Sequence, residues 1–151
     1  MSSAGALAAG KSDTLTLPFS AFVPDGDTRT FAYSASNGAL NGAGTTMGFY
    51  APILLPIGKR ITAIRVYIKD SATGPTKLQA TLTSIGVTNG SGATAATSSV
   101  SAGDGSEQTL QMTSLTQLVV SNKSYSLAVN TTTGTASCNV HMAEIDYDDG
   151  P

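Results

Sequence analysis

The sequence predicts an all-β protein, an antiparallel β-sandwich of the jelly-roll type with a flexible N-terminal arm. Short segments alternate apolar and polar residues, as half-buried strands do. Turn signals recur roughly every 8–12 residues, and no segment shows the helical period. At 151 residues the chain can bury a sizeable core in one domain. We expect an arm over 1–12, a single sandwich domain over 13–148 and a short tail over 149–151.

The first two predicted strands carry a clear alternation. Thr14 to Phe19 alternates, and Pro18 confines this segment to a sheet edge or a strand end because proline cannot donate a ladder hydrogen bond. Arg29 to Ser34 places Phe31 and Tyr33 on one face. A turn rich in proline, aspartate and glycine joins the two segments.

The next two stretches lack this alternation. Residues 35–46 contain two Asn-Gly dipeptides and are predicted to form a loop or a tight hairpin. Residues 47–55 are apolar throughout, which indicates either a strand covered on both faces or an irregular connection. Pro52 favours the irregular connection.

The strongest strand signal lies between Leu55 and Asp70, and the rest of the fold is expected to be organised around it. After a proline-glycine turn, Ile64, Val66 and Ile68 fall on one face and polar side chains fall on the other. Ile61 has the opposite parity. Either the strand begins through a β-bulge or Ile61 packs from the turn.

Further short strands are predicted in the second half of the chain. Residues 77–83 alternate and are expected to form a hairpin with the preceding strand. Residues 88–97 are small and glycine-rich, which predicts a mobile tip, followed by a weak edge strand over 95–101. Residues 107–113 and 124–130 again alternate.

The last strand needs an irregularity if both of its apolar sets are buried. Cys138, Val140 and Met142 share one face, whereas Ile145 has the opposite parity. We therefore expect a bulge near Ala143. The predicted core collects the inward positions of all these strands: Ile64, Val66, Ile68, Leu78, Leu82, Leu110, Leu127, Val129 and Val140.

The chain offers little for catalysis. His141 and Cys138, its one histidine and its one cysteine, stand three positions apart on a strand and therefore point to opposite faces. They do not complete a zinc site, and the aspartates stand mostly in turns or in the tail. We expect no catalytic residue, no metal site and no cofactor, so the protein is predicted not to be an enzyme.

Charge and hydropathy exclude two classes of partner. The formal net charge of −2, with 12% charged residues, lacks the basic footprint of nucleic-acid and membrane-surface binding. No apolar stretch reaches the length of a membrane-spanning helix, and residues 1–11 lack the features of a signal peptide. Neither nucleic acid nor membrane is expected as a partner.

Sugar binding is an alternative, since an exposed aromatic ring on a sandwich can stack on a saccharide. The chain has no tryptophan, and most of its other rings fall on apolar faces. Tyr67 is the clearest outward-facing candidate, and Tyr50 is a second.

Four segments carry a family resemblance: Leu55-Pro56-x-Gly58-x-x-Ile61-Thr62-x-Ile64-x-Val66-Tyr67-x-x-Asp70, Leu78-x-Ala80-x-Leu82, Asn122-x-x-Tyr125-x-Leu127-x-Val129 and Ile145-x-Tyr147. Together they resemble a β-sandwich module of uncharacterised bacterial and bacteriophage structural proteins. A small chain with an arm and one sandwich is similar to the capsid decoration, or cement, proteins of tailed phages.

This resemblance implies a non-enzymatic virion structural protein. It would be made in the host cytoplasm, bind the outer capsid surface and stabilise the phage head. Its partners would be the major capsid protein and further copies of itself, as a homotrimer. Within the arm, Leu7 and Lys11 are predicted assembly contacts, since the arm is expected to become ordered only against a neighbouring subunit. The alternative function is a carbohydrate-binding or adhesin module of a tail fibre or cell-surface protein, served by Tyr67 or Tyr50.

Overall fold

Two antiparallel sheets pack face to face in the computed structural model, which describes residues 11–24, 30–34, 38–45, 48–70, 77–131 and 135–151. The strands in this part of the chain are, in order, β1 (Asp13–Pro18), β2 (Val23–Pro24), β3 (Thr30–Ser34), β4 (Ala39–Thr45), β5 (Gly48–Ile53), β6 (Arg60–Asp70), β7 (Leu78–Gly86), β8 (Gly92–Val100), β9 (Glu107–Met112), β10 (Gln117–Leu118), β11 (Lys123–Thr131) and β12 (Thr135–Asp148). A 3₁₀ turn, Phe19–Ala21, joins β1 to β2.

The strands divide into a large sheet of β1, β3, β4, β6, β9, β10 and β12 and a small sheet of β2, β5, β7, β8 and β11. In the large sheet β6 pairs with β12 on one side and with β9 and β10 on the other. β12 in turn pairs with β4 and then with β1, and β3 lies beyond β4. In the small sheet β11 lies between β5 and β7, with β2 and β8 at the edges. The result is the antiparallel, jelly-roll-like sandwich that the sequence predicts.

One continuous hydrophobic core lies between the sheets. All nine residues predicted for the core are buried there. The large sheet contributes side chains such as Ile64 and Val66, and the small sheet contributes Leu82 and Leu127. Since burying one aliphatic side chain stabilises a fold by about 1.5–3 kcal/mol, this shared core explains why the sheets stay together.

A β-bulge explains the parity of Ile61. Ile61 and Ile64 are both fully buried although they are three residues apart. The register between β6 and β12 shifts at this point, because Asp146 faces Ala63 whereas the next residue, Tyr147, faces Ile61. Ile61 therefore lies within β6, and the bulge alternative is confirmed.

The bulge expected in the last strand is also present, but it lies earlier than predicted. The register against β6 shifts between Val140 and Met142. Cys138 and Val140 are buried before the shift, and Ala143 and Ile145 are buried after it. Met142 therefore faces outward, and its predicted place on the core face is wrong.

Several irregular segments predicted from the sequence are strands in the structure. β4 lies within the predicted loop over 35–46, and β8 covers much of the predicted mobile tip over 88–97. Both consist largely of small residues, so the pattern gives little strand signal, although the weak edge strand predicted over 95–101 lies largely within β8 at the edge of the small sheet. Backbone pairing holds them instead: β4 lies between β3 and β12, and β8 pairs with β7.

Two further expectations are corrected. β5 is a strand with alternating burial, and Pro52 is exposed within it. Pro52 lies outside the two-residue part of β5 that pairs with β2. The edge of β5 is therefore open at Pro52, where proline is tolerated. The predicted hairpin between β6 and β7 is wrong, because these strands belong to different sheets and contribute to the core from opposite sides. Pro18 ends β1, which pairs with β12 alone among the described strands, as expected of an edge.

Replacing Val66 with Asp should destabilise the fold by more than about 3 kcal/mol, because it buries an unpaired charge. Val66 is fully buried, so the carboxylate gains no water. Urea unfolding would measure the loss. Thr109→Asp, at the exposed cross-strand neighbour of Tyr67, is the control and should change stability by less than about 0.5 kcal/mol. Equal midpoints for the two variants would contradict the assigned core.

Candidate functional site

The two sheets expose outer faces of different chemistry. Alternate side chains of every strand point away from the core, so each sheet has one outer face. On the large sheet this face carries ion pairs. On the small sheet it carries hydroxyl, amide and small apolar side chains. We call them the charged face and the uncharged face.

Arg65 is the centre of the charged face. Its Nε donates to Glu144 Oε2 at 3.0 Å, and its two terminal nitrogens donate to the Asp146 carboxylate at 2.6 and 2.8 Å. Tyr67 donates its hydroxyl to the same Glu144 oxygen at 2.9 Å, and Thr14 donates to Asp146 at 2.8 Å. Strands β6, β12 and β1 thereby hold these side chains in one hydrogen-bonded group.

Arg65 lowers the pKa of both carboxyls. Its hydrogen bonds are the largest cause for Asp146 and for Glu144, and the Tyr67 hydroxyl adds to the effect on Glu144. The same bonds raise the pKa of Arg65. The ionic groups at the centre of this face are therefore bound to one another.

A second group of ion pairs anchors the end of the chain. Arg60 donates to both carboxylate oxygens of Asp148. Lys59 pairs with Asp149, and its Nζ lies 5.7 Å from the centroid of the Tyr147 ring. The acidic residues at the chain end are thus held against the start of β6.

Neither residue considered for nucleophilic catalysis is equipped for it. Cys138 is buried, and desolvation together with the Asp70 charge raises the pKa of its thiol to about 12. The thiol is therefore protonated at neutral pH and a poor nucleophile. His141 lies outside the core at the β12 bulge, with Nε2 3.2 Å from a Glu107 carboxylate oxygen. This contact lacks the alignment of a hydrogen bond. Within the described residues, no three His, Cys, Asp or Glu side chains are grouped as metal ligands would be.

The uncharged face is a grid of cross-strand neighbours on the small sheet. Its central row crosses all five described strands, from Val23 through Tyr50, Ala128 and Thr81 to Thr97. Directly opposed residues share a face, so the members of this row point outward together. The two flanking rows are Pro52, Ser126, Thr83, Thr94 and Gly48, Asn130, Gln79, Val100.

Exposed rings lie at the β2 end of the central row. Tyr50 is 41% exposed, and Val23 opposite it is 59% exposed. Tyr33, on β3, is 54% exposed and donates its hydroxyl to the Phe22 carbonyl oxygen at 2.7 Å. This bond brings a second open ring beside β2. Sequence reasoning missed Tyr33, because Tyr33 and Phe31 fall on the same face of the alternating pattern and that face was expected to be buried.

The two tyrosines selected from the sequence lie on opposite outer faces of the sandwich. Tyr67 belongs to the charged face, where Glu144 accepts its hydroxyl hydrogen and the side chain is half-buried. Tyr50 belongs to the uncharged face. Stacking requires an open ring, so Tyr50 is better placed for a sugar than Tyr67. A single ligand-binding surface therefore cannot include both tyrosines.

The predicted arm contacts are only partly within the described chain. Leu7 lies outside the described residues. Lys11 is exposed, and its backbone amide bonds to Asp149, adding to the effect of Lys59 in lowering the pKa of that carboxyl. The assembly role of Leu7 and Lys11 stays a prediction.

An apolar groove adjoins the uncharged face at the corner between β5 and β6. Leu54 and Ile57, 80% and 69% exposed, form part of its wall. The groove has a volume of about 320 Å³ and shares Pro52 with the uncharged face. The sequence signal for this groove is the presence of apolar residues on both sides of Pro56, within a segment predicted as a turn.

The fold and its two faces define a jelly-roll-like β-sandwich with open sheet surfaces. No protein-family model and no curated protein matches the chain. Solved structures do match. The CBM22-1 xylan-binding domain of Xyn10C from Paenibacillus barcinonensis is 16% identical, with 97% of this chain and 100% of that chain covered and a TM-score of 0.65. The CBM22-1–GH10 modules of the Clostridium thermocellum xylanase Xyn10B, complexed with xylohexaose, are 11% identical over 91% of this chain, with a TM-score of 0.64.

These matches differ in extent. The chain spans 28% of the length of the Xyn10B structure. A chain of the cyanophage Pam1 capsid asymmetric unit is 19% identical, with 100% of this chain and 93% of that chain covered, at a TM-score of 0.41. Identities this low establish a shared fold and nothing finer, and the capsid match is too distant in structure to support an argument.

No helix among the described residues is long and apolar enough to cross a membrane.

Replacing Arg65 with Met should lower stability at neutral pH and flatten its dependence on acid pH. Because the folded pKa values of Glu144 and Asp146 are lowered, the unfolded chain binds more protons once the pH falls below about 4.5. Their stabilisation is present above the unfolded pKa and is lost as the pH falls through the folded pKa. Thermal unfolding from about pH 7 to about pH 2 would therefore show a shallower fall in Tm for the variant.

Lys123→Met is the matched control, since it removes a cation from the small sheet. Its Tm should follow the wild-type curve across the same pH range. An Arg65→Met curve parallel to the wild type would contradict the assigned ion pairs.

Proposed function

We propose that this protein is a non-catalytic binding module that takes a polysaccharide on the uncharged face. The observation that carries the proposal is the open ring of Tyr50, which lies next to Val23 near one end of a row of outward-facing residues that crosses the small sheet. The similar folds of the xylan-binding modules support it.

The chemistry of the face suits a sugar. A pyranose ring has an apolar face, which the Tyr50 ring can cover, and hydroxyl groups at its rim. Thr81 and Ser126 offer hydroxyls that both donate and accept, and Asn130 offers an amide. Their strands are fixed in a hydrogen-bonded sheet, so binding orders few additional groups.

Tyr50→Ala should weaken polysaccharide binding by about tenfold, equivalent to about 1.4 kcal/mol, because it removes the stacking surface. A glycan array followed by titration calorimetry would measure this, with saturable binding in the micromolar range expected for the wild type. Tyr67→Ala is the matched control, since it makes the same truncation on the charged face, and it should bind as the wild type does.

Two results would count against this proposal. Absence of saturable binding to any glycan on the array would contradict the function. Loss of binding in Tyr67→Ala with full binding in Tyr50→Ala would contradict the site and place the ligand on the charged face.

The apolar corner favours a second candidate, a capsid decoration protein. Leu54 and Ile57 expose most of their side chains beside an apolar groove, and such patches often mark contacts with other proteins. In this candidate the protein is made in the host cytoplasm and stabilises the outer surface of a phage head. Its partners are the major capsid protein and two further copies of itself.

The second candidate is tested with undecorated capsids. The wild type should co-sediment with them and raise their resistance to heat, and the double variant Leu54→Asp, Ile57→Asp should lose both effects because it charges the apolar corner. Val87→Asp, at an exposed position on the small sheet's far turn, is the control and should behave as the wild type. A wild-type protein that stays monomeric at high concentration and neither binds nor stabilises capsids would contradict this candidate.

A further inference from the structure

We infer that the polysaccharide bound by the uncharged face is a neutral one, without carboxylate, sulfate or amino groups. This inference rests on the proposed function and names the chemical class of its ligand. It follows from how the charged residues are divided between the two sheets.

The small sheet is almost without charge. Among its described strands the one charged residue is Lys123, at the first position of β11. Ser124, Ser126 and Ala128 alternate outward along β11, whereas Lys123 shares the parity of the inward-facing Tyr125. Lys123 therefore lies at the end of the sheet and outside the grid, and the residues of the grid are all uncharged.

The large sheet shows the opposite composition. Its outer face holds Arg65 with Glu144 and Asp146, and Arg60 with Asp148. The two sheets of a sandwich lie about 10 Å apart, and this face lies on the far side of the second one. Since the Debye length is about 8 Å at physiological salt, these charges contribute little to the potential over the uncharged face.

A charged glycan would lose hydration on the uncharged face and meet no charged side chain within the grid. A carboxylate or sulfate that loses part of its hydration without gaining a partner disfavours binding, and an amine meets the same penalty. Hydroxyl groups are matched instead by side chains such as Thr81, Thr83 and Ser126, which donate and accept hydrogen bonds. The uncharged face therefore favours neutral glycans in two ways: its side chains bind hydroxyl groups, and its grid has no charged side chain to pair with a charged group.

The experiment compares neutral polymers with their charged derivatives on the full chain. Hydroxyethyl cellulose, mixed-linkage β-glucan and galactomannan would each be titrated beside the carboxymethylated form of the same polymer. Carboxymethylation should weaken binding by more than about tenfold, because each bound carboxylate is left unpaired. Binding to the neutral polymer should change by less than about twofold when ionic strength rises from about 0.01 to about 1 M.

A matched pair of variants tests the origin of the discrimination. Thr81→Lys places a cation within the central row and should restore binding to the carboxymethylated polymer in a salt-dependent manner. Thr109→Lys adds the same charge to the exposed outer side of the large sheet and should change nothing.

The outcomes separate the inference from the function beneath it. Wild-type binding that is as tight or tighter for the carboxymethylated polymers, and that salt weakens, would overturn the neutral ligand while leaving polysaccharide binding in place. Absence of binding to every polymer, neutral or charged, would overturn the proposed function and the inference with it.

Discussion

The antiparallel pairing of β6 with β12 is the constraint on which the rest of the structure depends. Its register decides which side chains enter the core and which meet outside it. The bulge in β12 allows Val140 and Ala143 to be buried together although their parities differ. The same register sets Arg65 opposite Glu144 on the outer side. A slip of one residue would turn Arg65 into the core, so core burial and surface ion pairing specify the same alignment.

Because the charged residues are concentrated on the large sheet, the edge strand β8 of the small sheet has no charged side chain. β8 has neither a charged residue nor a proline, a composition that invites pairing with another chain. Two register shifts against β7 interrupt its ladder. At one of them the Ser98 hydroxyl accepts the Ala80 amide hydrogen at 3.0 Å. Irregular pairing therefore protects this edge where charge does not, and the outer face remains neutral.

Parity in the sequence predicts most of the core, because residues such as Val66 and Leu127 lie in clean alternations whose inward face is evident. It predicts only the second part of β8, as the weak edge strand over 95–101, because the small residues of this strand are held by pairing with β7 instead of burial. The alternation in β12 requires a bulge, but only the partner strand fixes its position. The uncharged face was beyond prediction for a related reason. Tyr50 and Thr81 become members of one row only through Ala128 of β11, which follows both of them far along the chain.

The composition of the uncharged face also determines how such a surface achieves useful affinity. Threonine and serine lose little rotamer entropy on binding, and the sheet beneath them is already rigid. The attractive terms are equally small, since one open ring and several neutral hydrogen bonds contribute about 1 kcal/mol each. A single contact of this kind is therefore of modest strength, and repetition raises it through effective concentration. A polysaccharide supplies repeated units along one chain, whereas a capsid supplies repeated subunits in a lattice. Both candidate functions thus meet the same physical requirement, and the surface in contact distinguishes them: Tyr50 and the uncharged face for the polymer, Leu54 and Ile57 for the shell.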